Sequence, residues 1–568
     1  MKHKLAGSIA AVAVLTLGIA ACSSSSTSTS SSGSPAGSSD MGKVPLTIVT
    51  TPISPMIQDF NPFVPTSTGY VTHAVNLYNQ PLMVFDTQNT SQAPVPELAT
   101  HYAWSNGGET LTITTRSGVK WSDGKPFSAA DVAFTFNLIM KNPSLNLPGT
   151  PVPTSATASG SSVTLNFAAP QYANLFLIGQ VNIVPQHIWS SVGNPSTFAD
   201  PKPVGTGPFV LDKFSPQGFS MKENPFYWNK SKLHVPEVDF PSYTSNANLV
   251  PPVASGQIDW AGNQIPGIQA NYLAKSPDNH TWLSSAPYLS DNNVVSLWLN
   301  VTKAPLNDLA VRQAISAGIN RAQLSSQGES GNEPPATSSS GLLLPRDNSF
   351  LTSSLANDLP GSGDAAKVSS ILKGDGWTMT GGKWTKGGKQ ISFSISDPIP
   401  YSDYYLDSQL ISRQLNALGF NVTVDGIGDP NVWNADVANG TFDSTIHWSN
   451  QGPTPYFIYD NEVDSTLSAP IGKPAAGDYG RYSNPQIQAA LAQYASSGSS
   501  SVQAQAISKI ESIESTQLPL VPLLYGAAWA EFSTRHYTGW PTPGNPYMDP
   551  GPNSPYLEYT ILQLKPVS

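Results

Sequence analysis

The 568 residues contain a single cysteine, Cys22. With one thiol a chain can close no internal disulfide and build no cysteine zinc site or iron–sulfur cluster, so its fold must rest on buried apolar surface. It is several times longer than a usual domain, which implies two or three packed units with sizeable cores. Gly and Pro number 45 and 51 and charged residues only 12%, which describes a globular, loop-rich chain.

Lys2, His3 and Lys4 precede an apolar run from Ile9 to Ala21, long enough for a secretion-signal core and short for a membrane span. It ends in Ile19-Ala20-Ala21-Cys22, which resembles a bacterial lipobox, where small residues admit the signal peptidase and the Cys thiol receives a diacylglycerol. Residues 1–21 then read as a lipoprotein signal peptide and Cys22 as the lipidation site. Ser23 to Ser39 is nearly all Ser, Thr, Gly and Ala, so residues 22–43 read as a flexible tether. The expected location is the outer face of the bacterial cytoplasmic membrane, held through lipid-modified Cys22.

The formal charge is −10 and the lysines and arginines form no run beyond the first four residues, so nucleic acid is not expected as a partner. From Val44 onward, alternating strands and capped helices mix, an α/β pattern. Ser128 and Asp131 have capping-box spacing before a helix with Val132, Phe136 and Ile139 or Met140 on one face. A second helix is expected over 402–418, with Gly419 as its left-handed C′ residue before a strand at 420–424. A third, over 502–516, stops near Pro519 before a buried strand at 520–525.

No catalytic constellation accompanies this pattern. There is no HExxH, and histidines such as His73, His101, His187 and His447 are far apart, so no metal site is expected. The stretch 382–390 imitates a phosphate loop with its Lys one place late and reads better as a hairpin turn. Gly205-Thr206-Gly207 lacks the third glycine of a dinucleotide fingerprint and runs into Pro208. The chain is read as a non-enzyme without cofactor.

The stretch GVKWSDGKPFSAADVAFTF (118–136) resembles a segment of the extracytoplasmic solute-binding proteins of peptide/nickel-type ABC importers, solute-binding family 5. The resemblance continues in family order through 205–209, 224–228, 255–259, 311–315 with Asn320-Arg321, 482–485 and 518–525. It implies a two-lobed α/β fold of the type II periplasmic-binding-protein kind, a Venus flytrap closing on ligand by a hinge. Lobe one would span 44–292 with an extra domain over about 97–203, lobe two 293–516, and 517–568 would return to lobe one. The implied function is solute capture, an oligopeptide by family default, by a monomer that delivers it to an ABC permease and ATPase pair.

In peptide-binding members a Trp followed three residues later by an Asp holds the peptide ammonium. The matching stretch here is Trp448-Ser449-Asn450-Gln451, so Gln451 replaces that Asp, unless Asp443 or Asp460 takes its place. Asn79 likewise stands where an acid is common, in Leu77-Tyr78-Asn79-Gln80. The expected cleft residues are Tyr78, Asn79, Trp448, Asn450, Gln451 and Tyr525. Two amides in place of two acids would suit an amine-free ligand such as an oligosaccharide or a capped peptide; a sensor or adhesin keeping the fold is the remaining alternative.

Overall fold

The strand Leu46–Val49 is almost wholly buried and runs parallel to both Glu237–Pro241 and Trp260–Ala261. It sits at the middle of a seven-stranded sheet ordered Asn279–His280, Glu531–Ser533, Trp260–Ala261, Leu46–Val49, Glu237–Pro241, Gly218–Glu223, Phe209–Ser215. The computed structural model describes residues 44–567 except 91, 147–148 and 553–556. The signal segment, Cys22 and the Ser-rich tether lie outside the described residues.

A second sheet has five strands in the order Asn421–Ile427, Ser392–Pro398, Ser444–Trp448, Ser290–Leu299, Leu520–Ala528. The first three are parallel and the last two antiparallel to their neighbours. Helix Ser402–Ala417 makes the crossover between two of the parallel strands, burying Leu410, Ile411 and Leu415. It ends where the sequence predicts, because Gly419 takes φ 94°, a conformation that costs glycine little. Helix Ser500–Gln517 stops at Leu518 with φ 43°, and the next strand, Leu520–Ala528, is buried at every position. The stretch that imitates a phosphate loop is a hairpin, Lys383–Lys386 against Lys389–Gln390.

A third, antiparallel sheet is ordered Ala99–Ser105, Thr110–Thr115, Ser162–Asn166, Ser155–Ser159, with helix Ala129–Lys141 packed on it. That helix begins with the expected capping box: the Asp131 carboxylate accepts from Ser128 N at 2.9 Å, and the Ser128 hydroxyl accepts from Ala130 N at 3.3 Å.

Several family-like stretches prove to be scaffold. A Cβ on Gly205 would lie 1.7 Å from the Tyr78 carbonyl and one on Gly207 2.4 Å from that of Leu77, so these glycines admit a backbone crossing. Arg312 donates to the carbonyls of Gln517 and Leu518, closing the end of helix Ser500–Gln517. Fully buried Arg321 donates to the Pro522 and Ser316 carbonyls. An arginine keeps its charge when buried, so it needs several acceptors at once, and a helix end with orphan carbonyls supplies them.

Candidate ligand cleft between the two large sheets

Parallel strands leave a crevice beyond their carboxyl ends, where chain directions diverge and backbone groups lose their ladder partners. Here the crevices of both large sheets face each other. Thr50 and Thr51 follow the strand Leu46–Val49, and Gly262, Asn263 and Gln264 follow Trp260–Ala261. From the second sheet come Pro400, Tyr401, Asp403 and Tyr404 after Ser392–Pro398, and Trp448 and Gln451 at the end of Ser444–Trp448. Asn292, Asn293, Ala527, Ala528, Trp529, His73 and Asp549 complete a cleft of about 450 Å³.

Trp448 is its largest apolar wall. The indole is partly exposed and stacks on His447 with ring centres 4.5 Å apart at 22°, and His447 stacks in turn on Trp433 at 5.4 Å. Tyr404 lies 6.2 Å from Trp448. This ladder fixes the indole before any ligand arrives. Burial holds the His447 imidazole down to about 4, so the layer behind Trp448 is uncharged near neutral pH.

No Lys or Arg is among the described residues lining the cleft. Its carboxyl groups are Asp403 and Asp549, and burial pushes both up. Asp403 accepts from the Tyr404 amide at 3.0 Å, and Asp549 from the Gly551 amide at 2.8 Å. Behind this wall Glu333 accepts from the Ala527 amide at 3.0 Å, and burial raises its carboxyl to about 8. Next to it lie fully buried Glu329 and Asp407, and burial together with repulsion from Glu333 pushes both up. The cleft thus offers hydroxyl, amide and carboxyl groups against aromatic faces, with no fixed positive charge.

The structure brings Trp448 and Gln451 together in the cleft and places the other four expected residues elsewhere. Tyr78 is a core residue, 1% exposed, donating its hydroxyl to the Phe60 carbonyl at 2.7 Å. Asn79 is equally buried, with the chain at Gly205 packed over it. Tyr525 is paired with Val294 in the sheet, and its hydroxyl meets Thr337 N and Oγ1 at 3.2 Å each. Asn450 is exposed but lies off the cleft lining, its amide donating to Asn461. Neither acid considered as a substitute for Gln451 reaches the cleft: Asp443 holds Lys303 at 2.9 Å, and Asp460 lies among Tyr456 and Asp464. Asp403, Asp549, Tyr401, Tyr404 and Trp529 were not among the expected residues. Position just past a strand's carboxyl end is the signal that points to Tyr401, Asp403 and Tyr404.

Two large sheets facing each other across a crevice define a solute-binding protein of the two-lobed periplasmic type. Residues 93–468 match the model of the bacterial extracellular solute-binding proteins, family 5, and the chain belongs to that family, whose members serve ABC importers as binding proteins rather than enzymes. It is 26% identical over 391 residues to the nickel-binding periplasmic protein of Escherichia coli, covering 66% of this chain and 70% of that one. It is 24% identical over 276 residues to the oligopeptide-binding protein OppA of Bacillus subtilis, covering 44% and 49%. Among solved structures, the periplasmic oligopeptide-binding protein of Thermotoga maritima superposes with a TM-score of 0.84 at 24% identity, covering 92% of this chain and 99% of that one. The same protein with mannohexaose bound gives 0.78 at 23%, covering 92% and 98%. Among the described residues no helix is long and apolar enough to cross a membrane.

Proposed function

We propose that the protein is the membrane-anchored binding component of an ABC importer for a neutral, polyhydroxylated solute, an oligosaccharide rather than a free peptide. The observation that carries this reading is the cleft lining: aromatic faces, six amide side chains and two carboxyls, with no Lys or Arg. Sugar rings stack their C–H faces on indoles, and vicinal hydroxyls both donate to and accept from amides and carboxyls. A peptide's terminal carboxylate would enter without a cationic partner, which is costly in a closed site. That a structural neighbour carries mannohexaose is in keeping with this chemistry. A second reading, the oligopeptide, is favoured by Asp403, whose carboxyl could hold an ammonium.

Calorimetry separates the two. Mannose oligosaccharides should bind and free tripeptides should not; the reverse result overturns the reading. Gln451→Asp adds a charge to the cleft, and we expect it to weaken oligosaccharide binding by about 1–2 kcal/mol, because the new carboxylate gains no cation.

The anchor rests on Cys22 and the apolar run before it. Cys22→Ser should release the protein from membranes or leave the signal uncleaved. A normally processed chain still retained on the membrane would overturn the lipidation assignment.

A further inference from the structure

His73 lines the cleft and also a second cavity, of about 260 Å³. This cavity lies between the 62–82 segment, which carries Phe63, Val75 and Asn76, and a wall built from Ile139, Leu145, Phe176 and Leu177. None of its described lining residues is Asp, Glu, Lys or Arg. Two of the polar groups present face their own backbone: Asn146 exchanges hydrogen bonds with Thr150 at 2.7 and 3.0 Å, and the Gln180 amide donates to the Phe176 carbonyl at 3.1 Å. The surface left for an occupant is mainly apolar. A cavity of roughly 150 Å³ lined by aliphatic and aromatic groups holds a benzene ring, so this one has room for an aryl or branched alkyl group.

His73 is itself unusual. Its φ is 52°, a left-handed conformation that costs a non-glycine residue energy and that clusters at ligand sites. Its amide donates to the Tyr70 carbonyl at 3.0 Å, and its carbonyl accepts from Asn76 N at 3.2 Å. This turn sets the imidazole between the two cavities. Burial keeps that imidazole down to about 4, so the partition is uncharged.

We infer that the cleft and the cavity behind His73 form one binding site, in which the cleft takes the polar body of the solute and the cavity takes an uncharged apolar group at its end. The inference rests on the solute-binding reading of the cleft and adds to it a specificity for capped solutes.

The test uses two pairs of probes, measured by calorimetry on the full mature chain: mannotetraose with its 4-nitrophenyl glycoside, and trialanine methyl ester with trialanine benzyl ester. Whichever class binds, its aryl-bearing member should bind at least tenfold tighter. Leu177, half-buried in the cavity wall, gives the control. Leu177→Trp fills the cavity and should bring the two members of the pair within twofold, and Leu177→Ala should keep the preference. A crystal structure with the aryl probe should show the ring against Phe63 and Phe176, a measurement that stands if Leu177→Trp does not fold. Equal affinity within the pair that binds, or a ring seated elsewhere, overturns the inference. Binding of the peptide pair alone, with the aryl preference intact, overturns the oligosaccharide reading and leaves the cavity assignment standing. Binding of neither pair at millimolar concentration overturns both.

Discussion

Raising the pH from 5 to 8 should destabilise the folded chain by about 5 kcal/mol or more, which in a protein of this size lowers Tm by about 5 °C. The cause is a set of buried carboxyl groups whose desolvation outweighs any charge nearby, the pull of Arg116 on Glu97 included. Glu329 and Asp407 are buried with Glu333 behind the cleft. Glu462 and Glu514 both come within 3.6 Å of the point where a Cβ on Gly341 would stand. Glu97 and Glu558 share the Gln80 side-chain amide, which donates to one at 2.8 Å and to the other at 2.7 Å. Burial pushes Glu97 up to about 7 and Glu333 and Glu514 up to about 8.

Unfolded, these groups titrate near 4.3. Between that value and 7–8 the folded chain binds more protons than the unfolded one, so its stability falls as pH rises and levels off above the folded values. His73 and His447, both held down to about 4, act in the opposite direction, but only below about 6.5, where an unfolded imidazole titrates. Above that pH the carboxyls act alone. Scanning calorimetry at pH 5, 6.5 and 8 checks the slope, and Glu514→Gln, which keeps the shape and removes the titration, should flatten it. A Tm that rises from pH 5 to pH 8 would sink the account.

What the sequence made legible was set by local physics. The Ser128–Asp131 capping box and the Gly419 stop are written in residues three or four positions apart, and the structure has both. Cleft membership is not written locally. Tyr78 and Tyr525 belong to stretches that resemble the family in order and composition, yet each hydroxyl finds a main-chain partner inside the fold, Phe60 and Thr337. A motif residue can be kept for packing as readily as for ligand. Asp403 and Tyr404 escaped notice because they read as the first turn of an ordinary amphipathic helix. Only the pairing of Ser392–Pro398 with Ser444–Trp448 sets that turn beside Trp448. Gln451 lines the cleft without charge, while Asp403 and Asp549 bring carboxyls to it from segments 48 residues earlier and 98 later in the chain.

Trp448→Ala should weaken binding of the cleft ligand by about 1–3 kcal/mol, the value of a stacked aromatic face, with little change in Tm. The ring is only partly buried, at the end of its strand, so removing it leaves the sheet pairing of Ser444–Trp448 with Ser290–Leu299 intact. What is lost is the face presented to ligand, which the His447 and Trp433 rings behind it hold in place. Trp433→Ala is the informative contrast. Trp433 is fully buried, its indole donating to the Thr445 hydroxyl at 2.9 Å, so its loss should cost about 3–5 kcal/mol of stability and weaken binding by releasing the Trp448 ring. Calorimetric affinity beside a thermal melt separates the two roles: Trp448→Ala moves the first and spares the second, and Trp433→Ala moves both. Unchanged affinity in Trp448→Ala would remove the ring from the ligand site and with it the stacking wall on which the oligosaccharide reading depends.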